Sequence, residues 1–168
     1  MKKRNKRLVV VTHYTHWDEL MASPSQPMPD TKMVHHLTVL WSGLASLEKA
    51  DAPTVDDWRV CSDAVNMLET LTTEGGWLGC DGKAVQLTDE SGLIEDAIDA
   101  LAKAGMRARQ GQAIRLDGAG IKAIRSVLEN YAELIEVLPH RTMVRCHRLT
   151  EIKIKSLLMK KDPSLTVV

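Results

Sequence analysis

DGAGIKAIRSVLENYAELIEVL, residues 117–138, carries Ile121, Ile124, Leu128, Tyr131, Ile135 and Leu138 at alternating steps of three and four. On a helix of 3.6 residues per turn that spacing stacks them into one apolar stripe, which Val127 and Leu134 widen. Arg125, Glu129, Glu133 and Glu136 fall mostly outside it. The stretch therefore predicts the central helix of a helical domain, with Asp117 as its N-cap and glycines at 118 and 120 loosening its first turn.

Downstream, Pro139 bends the chain and suits the start of a new helix, where a missing N–H costs nothing. That last helix is expected over 140–160, with Met143, Val144, Leu149, Ile152, Leu157 and Leu158 available for burial, and Asp162-Pro163 ends it. Upstream, Gly82-Lys-Ala-Val-Gln-Leu87 matches Gly111-Gln-Ala-Ile-Arg-Leu116. Their alternation predicts two short strands, 83–87 and 112–116, paired as a β-ribbon around a helix at 90–109. Thr88, Asp89 or Ser91 is placed to cap that helix.

Earlier still, Thr54-Val-Asp-Asp57 resembles a capping box and opens a helix over 55–74, closed by Gly75-Gly76. Trp58, Cys61, Ala64, Val65, Leu68 and Leu71 line its apolar face. Asp30 is placed to cap a helix over 31–50, with Val34, Leu37, Leu40, Trp41, Leu44 and Leu47 as its stripe. Residues 17–29 hold three prolines and predict an irregular crossover, with one helical turn at His16–Met21. Leu8–Tyr14 suits a short strand or an extended segment. Residues 1–7 form a disordered basic arm, 8–162 a single helical domain and 163–168 a tail. The fold class is mainly α: about five helices, sequence neighbours antiparallel, with a two-stranded ribbon.

A chain of 168 residues suits one domain with a core of its own. Aromatics make up 4% and Phe is absent, so the core must be aliphatic and Met-rich. The three cysteines, Cys61, Cys80 and Cys146, lack CxxC spacing. They argue against a disulfide framework and for a reducing cytoplasm. No apolar run approaches the roughly 18 residues that span a bilayer, so no membrane role is expected. The apolar run after the basic N-terminus stops at Val11, too short for a signal peptide.

Net charge is zero, yet unevenly laid out. Residues 1–7 carry five basic residues, residues 8–139 ten basic against twenty acidic, and residues 140–161 seven basic against one acidic. Arg141, Arg145 and Arg148 share one face of the last helix, and Lys153, Lys155, Lys160 and Lys161 extend it. Arginine offers a planar fork of donors suited to phosphate or to carboxylate. Three readings of that face follow: contact with a protein partner, contact with nucleic acid, or settlement on the chain's own acids, Glu129, Glu133 and Glu136 among them.

Reaction centres are harder to find. Histidines and cysteines form only His13-x-x-His16 and the adjacent pairs His35-His36 and Cys146-His147, short of the four donors zinc takes. Cys80, in a turn, is the more reactive thiol, whereas Cys61 belongs to an apolar face. Gly118-Ala-Gly120 offers N–H groups to an anion, as a loose glycine pair does anywhere. No Gly-x-Ser-x-Gly or Walker pattern occurs. No catalytic residue, metal or cofactor is assigned. Trp77, after Gly75-Gly76, is a candidate exposed anchor for a protein partner. Tyr14, Trp17 and Met21 form a further apolar set that must pack on the body or on a partner.

Thr54-Val-Asp-Asp-Trp-Arg-Val-Cys-Ser-Asp-Ala-Val-Asn66 and Arg141-Thr-Met-Val-Arg-Cys-His-Arg-Leu-Thr150 resemble segments of small uncharacterised proteins encoded by phages, prophages and plasmids of proteobacteria. The resemblance extends over most of the chain and implies a bacterial cytoplasmic setting and a mobile-element origin. It carries no functional residues with it. Together these readings give a non-enzymatic helical modulator that binds a host or phage protein through Arg141, Arg145, Arg148, Lys153, Lys155 and Trp77. The alternatives are a nucleic-acid-binding regulator that uses both basic ends, and a small metalloprotein or enzyme. A homodimer follows if the last helix leaves its stripe uncovered.

Overall fold

The computed structural model describes residues 13–49, 53–89 and 91–161. The basic arm at 1–7, the extended reading of residues 8–12 and the tail at 163–168 lie outside the described residues. Among the described residues the chain is mainly helical. The order is α1 (His16–Met21), α2 (Asp30–Lys49), α3 (Val55–Glu74), β1 (Trp77–Leu78), β2 (Ala84–Val85), α4 (Leu93–Arg109), α5 (Gly118–Val137) and α6 (His140–Lys160).

Helix α5 buries its stripe as the spacing predicts. Ile124, Val127, Leu128, Tyr131, Leu134 and Ile135 are buried, as is Leu138 just past its end, while Arg125, Glu129, Glu133 and Glu136 face solvent. Each fully buried aliphatic side chain contributes on the order of 1.5–3 kcal/mol. Asp117 caps the helix by accepting from Gly120 N at 2.7 Å. Gly120 has a second role: a Cβ there would lie 2.7 Å from Ala100 Cβ. Its missing side chain lets α4 and α5 approach, so it is a packing residue rather than a loosening one.

Thr54 and Asp57 form the full capping box of α3. Asp57 N donates to Thr54 Oγ1 at 3.2 Å, and Asp57 Oδ2 accepts from Thr54 N at 2.8 Å. The same carboxylate accepts from Ser46 Oγ on α2 at 2.7 Å. Partial burial pushes the Asp57 pKa up, but these donors outweigh it and the net direction is down. Gly75 and Gly76, with φ of 62° and 70°, end α3 in backbone that favours glycine. Trp58 ties α3 to α4, its Nε1 donating to Leu101 O at 2.8 Å.

Helix α3 is the hub, in contact with α2, α4, α5 and α6. Sequence neighbours pack on one another from α2 through α5. The rule then fails: α6 turns at Pro139 and packs chiefly on α3 and α1. Its N-terminus is fixed by His140 N on Gln26 O at 2.7 Å and Arg141 N on Ser23 O at 2.9 Å.

Four expectations need correction. Asp30 is the first residue of α2 and not its cap; the Pro29 carbonyl accepts from Lys32 N at 2.9 Å and Met33 N at 3.0 Å. Val34 is 63% exposed, and α2 buries Leu40, Leu44 and Leu47. Residues 112–116 form no strand. The ribbon instead pairs Trp77 with Val85 and Leu78 with Ala84, across a turn at Gly79–Lys83. A partner a few residues away costs less loop-closure entropy than one across a helix, and Ile114 goes into the core instead. In α6, Ile152 and Leu158 are exposed, while Cys146 and Thr150 take inward positions beside Met143 and Val144. Thr150 can be buried because its hydroxyl donates to Thr70 Oγ1 at 2.8 Å, with Cys146 O 2.9 Å away.

Candidate functional site

The basic face of α6 is where the sequence concentrates its candidate partner residues, and the structure scatters them over four different neighbours. Arg141 lies across the end of α1. Its Nε donates to Glu19 O and Ala22 O at 3.1 Å each, and its Nη2 to Leu20 O at 2.8 Å. The last carbonyls of a helix have no partner within it, and α1 has no basic residue in its own last turn. Arg141 supplies those donors from another element.

Arg148 pairs with Glu19 and lies 3.3 Å from His16 Nδ1. Lys153 pairs with Glu69 of α3 at 2.7 Å, and Lys155 with Glu151 one turn back at 3.8 Å. Arg145 is exposed, with its guanidinium carbon 5.9 Å from the Trp77 ring centroid, a cation–π contact. Trp77 itself is not an exposed loop tip. It is 6% exposed, and its Nε1 donates to Leu71 O at 2.7 Å. Helix α6 also departs from the expected acidic partners: Glu129, Glu133 and Glu136 have no hydrogen bond or ion pair among the described residues.

Two of these residues, Arg141 and Arg148, hold α1 against the body. Thr15 and Asp18 form a second capping box, with Asp18 Oδ2 accepting from Thr15 N at 2.6 Å and Thr15 Oγ1 at 2.7 Å. Those bonds from Thr15 hold the Asp18 carboxyl below its ordinary range. His13 Nδ1 reaches Glu151 Oε1 at 2.6 Å, and the Tyr14 ring meets His147 edge-on at 4.9 Å. With its inner side anchored this way, α1 presents Trp17, 74% exposed, and Met21, 81% exposed, one turn apart, with Leu20 beside them. Of the apolar set Tyr14, Trp17 and Met21, only Tyr14 packs on the body. The signal for this element was in the sequence, as the Thr15-x-x-Asp18 spacing of a capping box.

Behind α6 lies a polar interior. Tyr131 is fully enclosed, with its hydroxyl 3.2 Å from His36 Nε2 and 3.4 Å from Met67 Sδ. The imidazole tautomer sets which of His36 Nε2 and the phenol hydroxyl donates in that pair. Cys146 Sγ donates to Met67 O at 3.4 Å. His147 Nδ1 is buried without a hydrogen-bond partner among the described residues. Burial depresses the pKa of both histidines, and His36 is lowered further by the charge of His147. Burial also pushes the Cys61 and Cys146 thiols up to about 12, so neither is a thiolate near neutrality.

The remaining candidates fare no better as reaction centres. Cys80 is half-buried, and burial together with Asp81 raises its pKa, so it is less reactive than its turn position suggests. The Gly120 N–H, a candidate donor to an anion, is taken by the Asp117 carboxylate. Among the described residues no three His, Cys, Asp or Glu side chains are grouped to hold a metal ion, and no helix is long and apolar enough to cross a membrane. No protein-family model, curated protein or solved structure matches the chain.

Proposed function

We propose that the chain is a non-enzymatic helical binding module acting on a protein partner, and that α1 is its contact element. The observation that carries this reading is the exposure of Trp17 and Met21 on a helix that α6 holds in place. An exposed Trp is a common anchor of protein interfaces, and an anchor that is already positioned avoids an ordering cost on binding. Arg141 and Arg148 then serve as positioning residues for α1 and not as contacts. The resemblance to proteins of proteobacterial mobile elements points to a cytoplasmic partner of host or phage origin.

The nucleic-acid reading draws on α6, where Arg141, Arg148, Lys153 and Lys155 are already engaged within the chain. A binder of that kind loses affinity steeply with salt, because phosphate contacts release counterions.

The test is recovery of a partner from the bacterial host by tagged wild-type protein, compared with Trp17→Ala and Met21→Ala. Loss of the same partner in both variants, with unchanged circular dichroism, supports the proposal. Full recovery by the Trp17→Ala, Met21→Ala double variant overturns it. Sedimentation of the same proteins separates a heterologous partner from a second copy of the chain.

A further inference from the structure

A second surface stands apart from α1. A cleft of about 320 Å³ opens between α3, α5 and the segment that leads into α4. Its floor is aliphatic, with Leu68, Leu87, Ile94 and Leu134, and Val137, 48% exposed, stands at its edge. The walls are already built. Asp89 Oδ2 accepts from Ile94 N at 3.0 Å and Gly92 N donates to Asp89 O at 3.1 Å, while Cys80 N bonds Val137 O at 2.9 Å. Among the described residues no Lys or Arg lines the cleft, and Asp89 and Glu133 do.

Charge selects the occupant. Of the three acids of α5, Glu133 lines the cleft, and Glu129 and Glu136, about one turn to either side of it on the same exposed side of the helix, lie outside the lining. None of the three has an ion pair among the described residues. Like charges three and four residues apart on a helix repel, which a cationic partner would relieve. Glu129 and Glu133 lie about 6 Å apart along the helix axis and Glu133 and Glu136 about 4.5 Å; the first spacing is close to the roughly 6.6 Å at which alternate side chains of an extended segment recur. We propose that this cleft docks an extended cationic segment of a second protein, its basic side chains along Glu129, Glu133 and Glu136 and its adjoining aliphatic side chains on the Leu68–Leu134 floor.

The probe is a fluorescein-labelled peptide MKKRNKRLVVV, which copies the chain's own first eleven residues and has the required chemistry, five basic residues followed by four aliphatic ones. It is titrated into the full chain and followed by anisotropy. The expected result is saturable binding, weakened about tenfold by Glu129→Gln, Glu133→Gln and Glu136→Gln together. Val137→Ser, or serine in place of Leu8 to Val11 in the peptide, should weaken it about fivefold. Trp17→Ala should leave it unchanged, which separates this site from α1.

Absence of saturable binding overturns the proposal, and so does affinity indifferent to the three glutamates. Affinity indifferent to the serine peptide also overturns it, since charge alone would then account for binding. A full chain with Lys2, Lys3, Arg4, Lys6 and Arg7 changed to Gln is the last control. Much tighter peptide binding by that variant would make the chain's own N-terminal segment the occupant and overturn a second protein in that place.

Discussion

Arg141 donates to the carbonyl of Leu20 at 2.8 Å, so a side chain of the last helix ends the first. The same guanidinium also serves Glu19 and Ala22. Hydrogen bonds from a charged donor contribute about 1.5–3 kcal/mol, toward the lower end where solvent has access. Arg141→Met should therefore loosen α1 without unfolding the domain. Hydrogen exchange is the measurement: faster exchange confined to residues 15–22, with α3 and α5 unchanged, is the expected outcome.

Trp77 and Trp17 should separate cleanly. Trp77→Ala removes a buried ring and its bond to Leu71 O, and a loss of about 3–5 kcal/mol is expected in urea denaturation. Trp17→Ala removes an exposed ring and should stay within about 0.5 kcal/mol of wild type. Equal stability losses would contradict both placements.

Gly120→Ala tests the approach of α4 to α5. Alanine improves helix propensity by up to about 1 kcal/mol, but its Cβ would meet Ala100 Cβ at 2.7 Å. Overpacking costs about 1–3 kcal/mol, so net destabilisation is expected. Adding Ala100→Gly should recover part of the loss, giving a favourable coupling in a double-mutant cycle.

His36 and His147 set an acid limit. Both have folded pKa values depressed by burial, so the unfolded chain takes up protons before the folded one does. Their contribution is complete above the unfolded histidine pKa of about 6.5 and is lost as pH falls through the lower folded values. The groups felt by His147 are Glu151, which raises its pKa, and His13, which lowers it; His36 feels His147 and His35. Melting temperature should drop from pH 7.5 to pH 5, and His36→Gln with His147→Gln should flatten that dependence.

Tyr131→Phe keeps the ring and removes the hydroxyl between His36 and Met67. His36 Nε2 is then left without its partner in a half-buried position, which costs about 1–3 kcal/mol. Equilibrium denaturation should show that loss, and a Phe variant as stable as wild type would mean that water replaces the phenol.

The sequence by itself determined what short-range chemistry controls. The α5 stripe, the Asp117 cap, the Thr54–Asp57 box and the extents of α3 and α6 depend on residues a few positions apart, which meet on a helix whatever surrounds it. The candidate site depended on longer reach. Arginines on one face of a helix signal a charge that must be met, but their long side chains can serve a phosphate, a carboxylate or a helix end equally well. Only the packed chain brought the carbonyls of α1 to Arg141, Glu19 to Arg148 and the Trp77 ring to Arg145. Tertiary structure likewise decided that β1 and not residues 112–116 pairs with β2, that Trp77 lies inside while Trp17 lies outside, and that α6 leaves Glu129, Glu133 and Glu136 to solvent. Each of those outcomes depends on which surfaces the close-packed core leaves within reach, and periodicity along one helix holds no record of its neighbours.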